Sequence, residues 1–511
     1  MRRMKGAAGL LTALLLAFQL SAQTFALANE DNGIKVVPVN FTHNGYSYEI
    51  EGVAKSTDGD YQIKSPARLA ARKLPSTYDP RSSGEITTVK DQASTGACWA
   101  FSALACAEQD LIKKGLENPS AEFSVPALVL SSNSGTATGK DDFSSGGNWL
   151  FAASALANGQ GLCYEDYEPF LESGTENMIV SENKKSVSEY RLNYVMELSS
   201  TTQVKRKIME LGAVSASYFA GNGYMNHNNT AYYDPDASKN TIINHSVTVV
   251  GWDDNYSKDN FRYKPANNGA WLVKGSWGAD QDNDGFYWVS YDEAEFGQFC
   301  CYDFEESCDN TYHYSKMTGY VVNASNDGSV YGANVFTAKA DEKLDKAGFM
   351  YVGKTGSADY TLSVYTDVSD SDPIGVLETQ ISGSVSANGF YTVDFPEDIL
   401  LEEGEKYSIS VKFSGDSGRG YLLAESDRTS NAQSGQSYVS LNGKYWSDVG
   451  ADKTDSIGSL FIYAYTDDTA KPDKSSLETT LAKYGTLSGC EREANNARTV
   501  LADENASKND I

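Results

Sequence analysis

Histidine is nearly absent from this chain: four occur in 511 residues, at 43, 227, 245 and 313. Cysteine is sparse too, with seven, at 98, 106, 163, 300, 301, 308 and 490. So few in a chain of this length exclude a disulfide-stapled scaffold. Their odd number leaves at least one thiol outside any intrachain disulfide. Cys300, Cys301 and Cys308 are spaced too irregularly for a zinc site, although Cys308 could enter a disulfide. No histidine carries the spacing of a zinc-protease helix. Positive charge is in deficit, with 42 Lys and Arg against 69 Asp and Glu and a net charge of −27. That balance excludes the basic footprint of a nucleic-acid binder and docking on an anionic lipid surface. Beyond the amino-terminus no long apolar run occurs, so no transmembrane segment is expected.

What is present begins with a targeting pattern. Arg2, Arg3 and Lys5 precede an apolar run over 7–20, and Ala26, Leu27 and Ala28 offer a small-x-small cleavage site. A secretory signal over 1–28 is expected, its apolar run being too short to cross a bilayer. Its loss removes three basic and no acidic residues and leaves −30. Residues 29–73 are a mixed polar segment ending in Arg68, Arg72 and Lys73, either a removable pro-segment or an N-terminal extension. Residues 74–305 alternate helical and strand patterns and hold six of the seven Trp. Residues 315–466 read as all-β. Short β-rich runs recur at 348–352, 360–365, 389–395, 407–413, 420–423, 438–441 and 460–465, separated by Gly, Asp, Ser and Asn turns. This predicts a sandwich or jelly roll. Residues 467–511 are a linker through Pro472 and two helix-forming stretches.

The segment richest in chemistry runs from Lys90 to Ser102. A polar loop with Gly96 leads into Cys98, and a helical stretch follows that stops at Gly115. Cys98 is therefore expected at a helix N-terminus, where free N–H groups and the positive dipole end favour a thiolate. Gln92, six residues earlier, could aim its amide N–H at the point served by the Cys98 backbone N–H, and two such donors make an oxyanion hole. A small core cysteine is the ordinary alternative. A thiolate peptidase also needs an imidazole. His43 and His227 lie in polar turns, and His313 sits among Tyr residues. His245 opens a strand, Asn244 to Trp252, and the block from Trp271 to Gly278 follows, where a ring-orienting group would be expected.

Residues 92–102, the pair Gly146-Gly147, residues 164–170, residues 245–251, and 276–278 up to 285–287 follow one order. They resemble the papain-like cysteine peptidases over about 74–300. The resemblance implies an α+β papain-like fold with a helical half and a β-barrel-like half. It implies Cys98 as nucleophile, His245 as its imidazolium partner, and Gln92 with the Cys98 N–H as oxyanion hole. Gly146 and Gly147 would bind an extended peptide by backbone hydrogen bonds. Trp277 would shield the histidine, and Ile243, Asn244 and Ser246 would line the main specificity pocket. The expected substrate is a protein or peptide, with no cofactor required.

Three departures stand out. The family's orienting Asn falls on Gly275, which has no side chain. Gln281 stands where a second Trp is frequent. Thr95 and Ser131 replace half-cystines. The third group positions the ring rather than supplying chemistry, so an active but slower peptidase is expected. Absence of a rate gain from Gly275→Asn would mark the orienting role as already filled.

Residues 348–355 match the P-loop pattern, but their bulky residues and the lack of a following helix make the match accidental. Asp280, Asp282 and Asp284 resemble the first half of a calcium loop, yet Tyr291 stands where a bidentate Glu is expected. Calcium, there or in the β region, is the one metal candidate, and a solvated acidic turn is its alternative. Residues 315–466 resemble the lectin-like domain of clostridial surface proteases, including the S-layer-processing cysteine protease. That implies an all-β jelly-roll or sandwich domain followed by a short helical tail, a cell-wall or surface glycan as a candidate partner, and location at a Gram-positive surface or in the medium. The tail resembles part of a helical repeat module. The rival from another class is a catalytically silent adhesin; an exopeptidase or transpeptidase is a third.

Overall fold

In the computed structural model the described residues are 35–39, 74–132, 143, 146–159, 162–166, 170, 189–221, 223–237, 243–279, 282–315, 321–369, 371–426, 432–451, 457–469, 474–484 and 491–502. The expected signal over 1–28 and Cys490 lie outside them, as does all of 29–73 except 35–39. The helices are α1 Cys98–Lys114, α2 Val125–Ser132, α3 Trp149–Ala157, α4 Thr201–Leu211, α5 Ser475–Tyr484 and α6 Glu491–Ala502. The first strands are β1 Lys35–Val39, β2 Thr77–Tyr78, β3 Tyr190–Leu198, β4 Val214–Tyr218, β5 Met225–Asn226, β6 Ala231–Tyr232, β7 His245–Asp253, β8 Ala270–Lys274, β9 Phe286–Ser290, β10 Gly297–Glu306 and β11 Asn310–Tyr312. After them come β12 Val321–Thr337, β13 Glu342–Tyr351, β14 Ala358–Thr366, β15 Val376–Val385, β16 Gly389–Leu401, β17 Lys406–Ser426, β18 Ser437–Ser440, β19 Ser447–Asp448, β20 Ile457–Leu460 and β21 Ile462–Asp468.

Helix α1 forms because small residues let it pass through the core. Ala100, Ala103, Ala105 and Ala107 pack closely on every side, and the helix is buried from Trp99 to Leu111. Gly115 ends it at φ 74, a left-handed turn that suits glycine, and donates to the Ile112 carbonyl at 3.0 Å. Two buried acids on this helix are paired. Glu108 meets Lys90 at 3.1 Å, and Asp110 meets Lys114 at 2.8 Å. Strand β7 is apolar on both faces, with Val247, Val249, Val250 and Trp252 buried. One face meets α1 and the other the β half, so it reads as a continuous run rather than an alternation.

Two sheets carry the molecule. The larger has thirteen strands in the order β11-β21-β13-β16-β3-β10-β4-β7-β8-β9-β6-β5, with β2 on β7. The other has eight, in the order β15-β14-β17-β12-β18-β19, with β1 on β12 and β20 on β17. The large sheet crosses from the α+β half into the β domain where β16 pairs with β3, Gly389 facing Met196 and Tyr391 facing Tyr194. A Cβ on Gly389 would stand 2.0 Å from the Val195 carbonyl oxygen, so glycine permits that approach. Glu197, half-buried at this joint, accepts from Asn388 Nδ2 at 3.0 Å on one side and from Trp149 Nε1 at 3.1 Å on the other. Lys346 bridges the same joint, 2.9 Å from Glu305. Apolar packing is continuous through it, from Trp271 and Tyr287 to Phe349 and Tyr391.

The β region is more extensive than its apolar runs. β12 leaves little sequence signal because Asn323, Ser325, Asn326, Asp327 and Gly328 dilute its pattern. Pairing with β17 along its length, and on the other side with β1 at 321–325 and β18 at 331–334, overrides that composition. β15 is a largely exposed edge strand with little apolar signal. The two runs at 407–413 and 420–423 are parts of one strand, β17. Residues Lys35–Val39 pair antiparallel with Val321–Ser325 of β12.

Candidate active site

Cys98 is the first residue of α1. Ala97 precedes it at φ −86, ψ 13, and no side chain caps the helix. The thiol is half-buried, and the Ser246 backbone N–H donates to its sulfur at 3.4 Å. His245 begins β7, and the residue is only 6 % exposed. Trp277 lies flat on it, ring centres 4.3 Å apart and planes 8° from parallel. Ser102, one turn beyond Cys98, donates to the Val247 carbonyl at 2.7 Å. That bond ties the start of the helix to the start of the strand, so the positions of the two reactive side chains are set by one buried contact.

Gln92 is held from three sides. Its N–H donates to the Ser276 carbonyl at 2.7 Å. Its Oε1 accepts from Ser276 Oγ at 2.6 Å, and its Nε2 donates to the Thr95 carbonyl at 2.8 Å. A second Nε2 hydrogen remains for a ligand. Beneath this loop Lys274 donates to Thr87 at 2.6 Å, and Thr87 donates to Glu108 at 2.7 Å. Burial alone would raise the Glu108 carboxyl, but Lys90 and Lys274 hold it below its usual value.

Gly147 is a glycine of necessity, since a Cβ there would stand 2.5 Å from the Trp99 indole. Gly146 has φ 67. Asn244 is exposed and accepts from the Ala220 N–H at 2.7 Å, while Ser246 shares a 3.0 Å hydrogen bond with Ser217 and Ile243 is half-buried. Gly275 follows β8 directly, and its N–H donates to the Gly285 carbonyl at 3.1 Å. Among the described residues no acceptor meets Nε2 of His245. Asp280 and Gln281 lie outside the described residues; Asn283 and Asp284 turn the chain at φ 59 and 55. Among the described residues no group of three or more His, Cys, Asp or Glu side chains is placed to hold a metal ion.

Residues 74–326 match the family described as papain family cysteine protease, and residues 311–466 the lectin like domain. The crystal structure of the cysteine protease and lectin-like domains of Cwp84, a surface layer associated protein of Clostridium difficile, superposes with a TM-score of 0.69 at 25 % identity, covering 85 % of this chain and 98 % of that one. The chain carries a papain-family peptidase domain followed by a lectin-like domain. A second structure of Cwp84, a substituted form after propeptide cleavage, gives a TM-score of 0.67 at 27 % identity over 77 % of this chain and 100 % of that one. Mouse cathepsin K is 24 % identical over 42 % of this chain and 59 % of its own length. Rat procathepsin L is 28 % identical over 43 % of this chain and 61 % of its own length. The chain thus spans about three fifths of the length of these curated relatives.

In the papain-family site, burial works against the thiolate that the helix start favours. Burial pushes the Cys98 thiol up; backbone N–H groups of Ser246 and Trp99 oppose it without prevailing. Burial pushes the His245 imidazole from 6.5 down to about 3. The dipole and helix N–H groups favour a thiolate, desolvation of both groups opposes it, and transfer of the thiol proton to His245 would let the two charges attract. One neighbour of the site escapes a reading of the sequence: Tyr218, a tyrosine inside β4 that no motif marks, shares a 2.9 Å hydrogen bond with Tyr287 of the 285–287 block and meets the His245 ring edge-on.

Proposed function

We propose that the chain is an exported cysteine endopeptidase in which Cys98 is the nucleophile and His245 the general base and acid. One observation carries this: the Ser246 N–H points at Cys98 Sγ from 3.4 Å while His245, the preceding residue, lies buried under Trp277. Peptide binding excludes water from the pair. The thiol proton passes to the imidazole, and the thiolate attacks the scissile carbonyl carbon. The carbonyl oxygen becomes an oxyanion and accepts from the Cys98 N–H and the free Nε2 hydrogen of Gln92. The C–N bond breaks, and the imidazolium gives its proton to the leaving amine. Water, deprotonated by His245, then hydrolyses the thioester. No cofactor enters any step.

Gly146 and Gly147 bind the substrate backbone, and Ile243, Asn244 and Ser246 border the pocket for its side chain. Removal of 1–28 on export and of 29–73 ahead of Leu74 completes maturation. The lectin-like domain holds a surface glycan of a Gram-positive cell. This placement leans on Cwp84, which is surface layer associated in Clostridium difficile. Wild type and Cys98→Ala are compared by mass spectrometry of products from an unstructured protein. Internal cleavages made only by wild type are expected. An epoxide inhibitor that labels Cys98 no faster than unfolded cysteine would sink the proposal and favour an adhesin.

A further inference from the structure

Trp277 and Tyr218, the two rings that pack on His245, also wall a cavity of about 450 Å³. That volume falls among pockets that hold small organic groups, roughly 300–1,000 Å³. Its other walls are aromatic too, from Tyr232, Phe286 and Tyr287. Gly275 forms part of the lining with no side chain to fill it. No Asp, Glu, Lys or Arg is among the described residues that line it, so the space suits an uncharged guest. Trp277 and His227 are exposed, and the cavity meets solvent at that rim. It is also tied to the catalytic strand. Asn244, the residue before His245, accepts from the Ala220 N–H at 2.7 Å and donates to the Ala220 carbonyl at 3.3 Å, and Ala220 is in the lining. His245 gives its proton to the leaving amine, so the chain that continues from that amine runs past the rings packed on His245. The acyl half of the substrate lies elsewhere, against Gly146 and Gly147, where Gly147 abuts Trp99.

We propose that this cavity receives the side chain of the first residue after the scissile bond and selects an aromatic one. Rings stack edge-to-face or offset against Tyr232, Phe286 and Trp277, and the neutral lining leaves a charged side chain without a partner. The released amine departs before water attacks the thioester. The selection therefore acts on formation of the acyl-enzyme and not on its hydrolysis. The inference rests on the peptidase function proposed above.

The test uses the full chain and quenched fluorescent peptides that share one acyl half and carry Phe, Trp or Ala after the scissile bond. The phenylalanine peptide should exceed the alanine peptide in kcat/KM by at least about tenfold, with equal deacylation rates. Equal kcat/KM overturns the proposal. Ala220→Phe narrows the cavity and should bring the phenylalanine-to-alanine ratio near one. Met225→Ala, at another wall, widens it and should favour tryptophan over phenylalanine. An order of peptides unmoved in both variants overturns the proposal. Amine capture reads the same site from the product side. Phenylalaninamide should divert the acyl-enzyme to a new peptide more readily than alaninamide. Its nitrogen forms the C–N bond, the C–S bond breaks, and its proton passes through His245 to the sulfur. Equal diversion by the two amides overturns the proposal. Calorimetry of the same peptides on Cys98→Ala protein is independent of turnover. Tighter binding of the phenylalanine peptide there, with an inert wild type, would overturn only the peptidase assignment, and equal binding would overturn the cavity's role.

Discussion

Acid should act against the fold at one ring, that of His245. Burial takes the His245 imidazole from 6.5 in the unfolded chain to about 3 in the fold. The folded value is the lower one, so on acidification the unfolded chain binds the proton first. The ring's contribution is intact above pH 6.5 and is lost progressively as pH falls toward 3. Each pH unit in that window costs about 1.4 kcal/mol. Two carboxyls work in the opposite sense. Burial pushes both Glu293 and Asp110 up to about 7, so their protonation relieves the fold as pH falls. Comparing Cys98→Ala with Cys98→Ala, His245→Gln cancels them. Guanidinium unfolding followed by tryptophan fluorescence at about pH 7.5, 5.5 and 4.5 gives the difference. The histidine protein should lose about 1.4 kcal/mol relative to its glutamine counterpart by the middle pH and about 2.7 kcal/mol by the lowest. A difference that stays flat with pH refutes the account, since the fold would then hold an imidazolium as readily as water does. Restoring Cys98 should leave the slope unchanged if the resting pair is neutral, whereas a shallower slope would mean that the sulfur already carries charge.

Gly147→Ala drives a methyl into the Trp99 indole, 2.5 Å away. It should destabilise by about 1–3 kcal/mol and lower kcat by shifting the residue next to Cys98; unchanged melting and turnover would contradict this. Gly275→Asn should give no rate gain and cost about 1 kcal/mol, its Cβ meeting the Gly285 carbonyl oxygen at 3.0 Å. A faster enzyme would show that the histidine still lacks its orienting partner. Glu108→Gln leaves Lys274 and Lys90 without their buried counter-charge and should cost about 3–5 kcal/mol in denaturant unfolding. A loss below about 1 kcal/mol would mean that the charges are solvated.

Legibility in the sequence followed the kind of signal each residue leaves. Cys98 and His245 were legible because helix start, glycine stop and strand start all bracket them. The place of Trp277 over the histidine came from the resemblance to the papain-like peptidases, not from a local signal. The desolvation of the pair was not legible, because the dipole is visible in a sequence and burial is not; only packing reveals how dry the ring becomes. The contact of Tyr218 with Tyr287 was invisible for a related reason: they are 69 residues apart, and their meeting depends on the side-by-side pairing of β4, β7, β8 and β9. In the β domain, apolar runs found the central strands, whereas β12 and β15 owe their extension to neighbours rather than to their own composition.

The pairing of β16 with β3 has a consequence for reach. A protease on a flexible leash samples a volume and cuts whatever drifts through it. Here one sheet runs through both domains, so the bearing of the cleft relative to the β domain is fixed when the chain folds. On the function proposed above, a β domain seated on a surface would aim the cleft at one spot and one tilt. Such a device trades range for aim, and loosening the joint at Gly389 would reverse the exchange.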